Sequence, residues 1–128
     1  MERLPMRGDT LLVVEDQPLL AEFMTTVAED AGWKAVSVTT PEEFERALDH
    51  HHPDAIALDL AMPGCDGVEM LRYLKARKYD GKLMIVSGCD APVVEASGVL
   101  AKHHGLDCVG CFQKPLTSQD LRNILARI

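Results

Sequence analysis

Four apolar runs in this chain each give way to polar residues, and that recurrence restricts the fold more than any other feature. Leu11 to Val14 (LLVV) is followed by Glu15 and Asp16, Ala55 to Leu58 (AIAL) by Asp59, Leu83 to Val86 (LMIV) by Ser87, and Val109 to Gln113 (VGCFQ) by Lys114. Between the runs lie longer stretches whose apolar residues recur at spacings of three and four, the period of one helix face. Short buried strands alternating with helices predict a doubly wound parallel α/β sheet, because crossovers between parallel strands are short and right-handed. In such a sheet all the polar ends share one edge, where open α/β sheets bind ligands.

The elements follow from local signals. Thr10 to Glu15 reads as the first strand, and a helix starts near Pro18, carries Leu20, Phe23, Met24, Val27 and Ala31, and closes at Gly32. A second strand, Lys34 to Thr39, leads into Thr40-Pro41-Glu42-Glu43, which combines an N-cap, a proline at N1 and a capping-box glutamate ahead of Phe44, Ala47 and Leu48. Asp54 to Asp59 is apolar on both faces, as a strand covered on both sides must be. Asp66 with Glu69 caps a third helix bearing Val68, Leu71 and Leu74, and the turn Tyr79-Asp80-Gly81 opens a fourth strand, Lys82 to Ser87. Ala91 to His104 reads as a helix that Gly98 weakens by about 1 kcal/mol relative to alanine, with Gly105 ending it. Cys108 to Gln113 is the fifth strand, and Thr117 or Ser118 caps a last helix that buries Leu121, Ile124, Leu125 and Ile128. Trp33 and the methionines read as core or surface apolar residues.

Composition excludes several classes. A chain of 128 residues suits one domain, with residues 1–8 as a loose N-terminal extension. Thirteen Lys and Arg against twenty Asp and Glu give a net charge of -7, which argues against a nucleic-acid-binding face on this domain. No stretch approaches the ~18 consecutive apolar residues of a membrane span, and the cytoplasm is the expected compartment. Cys65, Cys89, Cys108 and Cys111 read as buried reduced thiols. Cys108 and Cys111 form a C-x-x-C, but residues three apart on a regular strand point to opposite faces, so the pair is not expected to share a metal or a redox function.

Each polar residue has a structural explanation taken alone. Asp16 could cap the helix at Pro18, Glu15 could be a solvated strand end, Ser87 could cap the next loop and Lys114 could be a surface lysine. Asp59 precedes a loop, Leu60 to Gly67 (LAMPGCDG), whose Pro63, Gly64 and Gly67 suit a close backbone approach or an ordinary turn. None of these readings explains why all five groups fall at carboxyl ends of strands. Carboxylates within about 4 Å of one another repel by ~4 kcal/mol per pair at an effective dielectric near 20, so they need a cation. Hard oxygen ligands suit Mg²⁺, with Mn²⁺ as the alternative, and Lys114 and Ser87 suit the oxygens of a phosphoryl group. Asp59 is then the candidate carboxylate nucleophile.

Taken together, VVED at Val13 to Asp16, ALDLAMPGCDG at Ala57 to Gly67, IVSG at Ile85 to Gly88 and QKPL at Gln113 to Leu116 resemble the receiver domain of two-component response regulators, of the chemotaxis-regulator type. The resemblance implies a flavodoxin-like (βα)₅ fold with strand order 2-1-3-4-5. It implies that Asp59 is the phosphoacceptor, that Glu15, Asp16, Asp59 and the backbone carbonyl of Ala61 hold Mg²⁺, and that Ser87 and Lys114 are the switch hydroxyl and the phosphate-binding lysine. The phosphoryl donor it implies is a histidine kinase or phosphotransfer protein, and the face of helix four, strand five and helix five is the one that rearranges. A fused or separate output domain and a homodimer are further partners of that reading, with no separate substrate turned over.

The chain departs from the resemblance at three points. Cys111, with Phe112 beside it, occupies the position where the family places an aromatic switch residue. The Ser87 to Lys114 segment is longer than usual, and Ala61 is too small to hydrogen-bond an attacking water. An interaction module that signals without phosphate is therefore the alternative reading, favoured by Cys111. A flavin or nucleotide binder is disfavoured because Glu15-Asp16-Gln17-Pro18 replaces a Gly-rich phosphate loop. His50-His51-His52, and likewise His103 and His104, read as cations at helix C-termini rather than metal ligands.

Overall fold

A computed structural model describes residues 9–62 and 67–128. The elements run β1 (Thr10–Val14), α1 (Pro18–Asp30), β2 (Lys34–Val38), α2 (Pro41–His51), β3 (Ala55–Leu58), α3 (Gly67–Ala76), β4 (Lys82–Ser87), α4 (Ala91–His103), β5 (Asp107–Gln113) and α5 (Ser118–Arg127). All strand pairs are parallel, in the order β2-β1-β3-β4-β5, so the sequence reading of a flavodoxin-like doubly wound sheet holds. The N-terminal extension and the Pro63, Gly64, Cys65 and Asp66 features of the sequence reading lie outside the described residues.

Two apolar layers cover the sheet because successive strand residues face opposite ways. Leu12, Val14, Ile56, Leu58, Leu83 and Ile85 face α2, α3 and α4, where they meet Phe44, Leu48, Leu71, Leu74, Val94 and Ala101. Leu11, Val13, Ala55, Ala57, Met84 and Val86 face α1 and α5, where they meet Met24, Val27, Trp33, Leu121, Ile124 and Leu125. Burying each large apolar side chain contributes ~1.5–3 kcal/mol. The central strands β1, β3 and β4 are covered on both faces, which fixes the sheet edge that carries the polar residues.

Helix ends follow local chemistry. Thr40 caps α2 by accepting from the Glu43 backbone N–H, and Thr117 and Asp120 form a reciprocal capping box at α5. Gly32 and Gly105 adopt φ of 92° and 81° just after α1 and α4, a conformation that costs glycine little. The cap of α1 differs from the expectation for Asp16: Gln17 is the N-cap residue and no side chain caps it. Val68 also departs from its expected place in the α3 stripe, being 38% exposed, while Met70 is buried in the core. Among the described residues no helix is long and apolar enough to cross a membrane.

The largest departure lies in β5. Leu83 pairs with Cys108 but Met84 pairs with Gly110, so Val109 is an extra residue, a β-bulge. The bulge resets the alternation, and Cys108 and Cys111 both pack on the α2-α3-α4 layer. The expectation that they face opposite ways assumed a regular strand and is overturned.

Candidate functional site

Backbone hydrogen bonds continue the sheet past the strand ends and hold the polar residues side by side. The Glu15 N–H donates to the Val38 carbonyl, that of Asp59 to Val14 and that of Lys114 to Ser87, at 3.1, 3.1 and 2.9 Å. The side chains that follow β1, β3 and β5 therefore converge on one edge. Lys114 Nζ donates to Glu15 Oε1 at 2.7 Å and to Asp59 Oδ2 at 3.1 Å. The other Glu15 oxygen accepts from the Gln17 N–H at 3.1 Å, and Asp59 Oδ1 accepts from the Ala61 N–H at 3.0 Å.

Asp16 completes the acidic set. Glu15, Asp16 and Asp59 each offer an oxygen, and these lie within 4.8 Å of one another, the group of metal-binding geometry among the described residues. Glu15 is not a solvated strand end, being only 1% exposed. Burial raises its carboxyl above the ordinary glutamate range, and the neighbouring Asp59 adds to this, against the lowering effect of Lys114 and the Gln17 N–H. For Lys114 burial works against the charge, but hydrogen bonds to Glu15 and Asp59 outweigh it and hold the ammonium above its usual range. Three carboxylates facing one ammonium leave excess negative charge, and a buried carboxylate pushed upward is what a divalent cation relieves. The donor set fits a hard cation such as Mg²⁺.

Ser87 is fully buried at the end of β4, and its Oγ accepts from the Cys89 N–H at 3.2 Å, so it caps the β4-α4 loop here. Ala61 is exposed beside Asp59. Lys114 precedes a cis peptide bond to Pro115. Cys111 and Phe112 diverge: Cys111 packs toward α4, and Phe112 joins the α1-α5 layer with its ring over Gly110.

A family model, the response regulator receiver domain, matches residues 11–126. This chain belongs to that family. Receiver domains are the signal-receiving parts of two-component response regulators. The chain is 35% identical over 111 residues to the DNA-binding response regulator MtrA of Mycolicibacterium smegmatis, covering 87% of this chain and 46% of that protein. It is 30% identical over 120 residues to the positive alginate biosynthesis regulatory protein of Pseudomonas aeruginosa, covering 91% of this chain and 46% of the relative. The chain thus spans less than half the length of these relatives. A response regulator from Colwellia psychrerythraea has the same fold at a TM-score of 0.81 and 29% identity, over 93% of this chain and 94% of that one.

One feature of the receiver was not legible in the sequence. Leu20, Phe23 and Met24 of α1 meet Val86, Lys114, Pro115 and Leu116 around an apolar groove of about 520 Å³ that opens beside Lys114. Leu19 stands 83% exposed on the same helix. The groove joins segments nearly a chain length apart, and the apolar spacing of α1 was its only signal.

Proposed function

We propose that this receiver takes a phosphoryl group on Asp59 and that Glu15, Asp16, Asp59 and the Ala61 carbonyl hold Mg²⁺, or Mn²⁺, during the transfer. The observation that carries the reading is Lys114 bridging Glu15 and Asp59 beside Asp16 in one acidic pocket. An Asp59 carboxylate oxygen attacks the donor's phosphorus, the new P–O bond forms in line, and the donor's leaving atom departs with the electrons of the old bond. The cation, when bound, supplies charge neutralisation between the carboxylates and the phosphoryl oxygens. Lys114 is already aimed at Asp59 and would keep an ammonium on one phosphoryl oxygen. A phosphoryl group that drew the Ser87 hydroxyl would take it from the Cys89 N–H, which ties the event to the loop before α4 and so to the α4-β5-α5 face. The domain promotes its own phosphorylation and turns over no separate substrate.

The donor of this reading is a phosphohistidine on a kinase or phosphotransfer protein, and the apolar groove between α1 and Pro115-Leu116 supports it by offering apolar surface beside Lys114, which itself contacts Asp59. Output passes to a fused or separate partner in the cytoplasm, or to a second copy through the α4-β5-α5 face. The test is intact mass after incubation with acetyl phosphate, with and without Mg²⁺, beside Asp59→Asn. One added phosphoryl group that requires Mg²⁺ and is absent from the variant supports the reading. No uptake by folded protein that binds Mg²⁺, with acetyl phosphate and with a cognate kinase, would leave the phosphate-independent module, which Cys111 at the switch position favours.

A further inference from the structure

The bulge at Val109 changes what the C-x-x-C of β5 can do. Cys108 and Cys111 pair with Leu83 and Ile85, which are only two residues apart on β4. Two residues of strand span ~6.6 Å, against ~10 Å for three, so the bulge shortens the Cys108 to Cys111 reach to near the upper end of the ~4.4–6.8 Å range for disulfide-linked Cα atoms. The Cys111 thiol is hydrogen-bonded to the Cys108 side chain, whose own S–H donates to the Gly110 carbonyl at 3.6 Å. Both thiols are free.

The surroundings couple this pair to α4. Cys111 Sγ lies where a Gly98 side chain would be: a Cβ built at Gly98 would stand 2.3 Å from it. Gly98 is buried within α4. A disulfide to Cys108 would move the sulfur that fills that notch, so the redox state of the pair would bear on how α4 is seated. Lys114 comes directly after this strand, at the site itself.

We propose that Cys108 and Cys111 form a reversible dithiol-disulfide site beneath α4, oxidised by exchange with small-molecule disulfides. In the first step one cysteine thiolate attacks a sulfur of the small disulfide, its S–S bond breaks and one small thiol leaves. The second cysteine, its proton lost to water, then attacks the protein sulfur of the mixed disulfide and expels the second small thiol. Two protein thiols are oxidised and the small disulfide is reduced to two thiols. Burial, and Cys108 beside it, push the Cys111 thiol up to about 11, so the exchange is slow at neutral pH and accelerates as pH rises.

The test exposes the full chain to oxidised glutathione at about pH 8.5, near the ordinary thiol range, then unfolds it, alkylates it and maps the peptides. The expected result is a mass lower by two hydrogens, with Cys108 and Cys111 joined, Cys65 and Cys89 alkylated, and full reversal by dithiothreitol. Cys108→Ser and Cys111→Ser should each lose the linkage and retain at most one glutathione on the remaining thiol. Alkylation of both Cys108 and Cys111 in the treated wild type, a stable glutathione adduct on either, or a bond from either to Cys65 or Cys89 would overturn the proposal.

Discussion

Lys114 Nζ stands 2.7 Å from Glu15 Oε1 although 99 positions separate them. Both residues follow strands of one parallel sheet, and Glu15 is nearly fully buried, so the contact is a partly desolvated ion pair rather than a surface one. Its strength depends on Asp59, which accepts from the same ammonium. The lysine therefore balances part of the negative charge that Glu15 and Asp59 bring together.

Lys114→Met tests that balance. Removing the ammonium leaves Glu15 and Asp59 facing one another, and breaking a buried pair costs ~3–5 kcal/mol, reduced here to about 2–3 by the partial exposure of Lys114. Urea unfolding in the absence of metal should show that loss, and Mg²⁺ should stabilise the variant more than the wild type. Equal Mg²⁺ increments in the two proteins would mean that lysine and cation do not share the carboxylates.

Gly98→Ala should reverse the usual sign of a helix substitution. Alanine in place of glycine inside a helix gains ~1 kcal/mol, but here the new Cβ would meet Cys111 Sγ at 2.3 Å. Forcing an atom into a packed site costs ~1–3 kcal/mol, so a net loss of about 1 kcal/mol is expected. In a Cys111→Ala background the clash disappears and the same substitution should stabilise. A double-mutant cycle by urea midpoint reads the coupling, and additive effects would place Cys111 away from α4.

Much of this was legible because the strands are short, apolar and buried on both faces, so LLVV, AIAL and LMIV announce themselves. Strand ends were read a residue or so long, as at Glu15, Asp54 and Asp59, because a polar residue at a strand end looks the same whether or not it joins the ladder. Asp59 and Lys114 could be placed together because parallel topology sends every strand's carboxyl end to one edge. The bulge could not be read: VGCF alternates plausibly without it, and only pairing with β4 shows that Val109 is extra. The exposure of Val68 depends on how α3 is rotated against the core, which spacing alone leaves open.

Thr117→Ala should cost about 1 kcal/mol, the usual value of an N-cap side chain. Thr117 Oγ1 accepts from the Asp120 N–H at 3.0 Å, and Asp120 Oδ2 accepts from the Thr117 N–H at 3.1 Å. That N–H, and the Thr117 side chain after it, hold the Asp120 carboxyl below its ordinary 3.8. The carboxylate's contribution is present above 3.8 and is lost as pH falls through the lower folded value. Acid titration of helicity should therefore show a smaller loss for Asp120→Asn than for the wild type over that range.

Cys111 predicts the opposite limb. Its thiol titrates at an ordinary 9.0 when unfolded but is pushed up to about 11 in the fold, by burial first and then by Cys108. Between those values the unfolded chain has released a proton that the folded chain keeps, so stability falls as pH rises. The contribution is complete below 9.0 and is lost on the way to about 11. Comparing urea midpoints at about pH 8 and pH 10.5, on either side of the unfolded thiol's titration, the wild type should lose more stability than Cys111→Ala. The comparison cancels Lys114 and Tyr79, which are raised in both proteins. Parallel losses would mean that the Cys111 thiol meets solvent, which would also remove the seat on Gly98 that links it to α4.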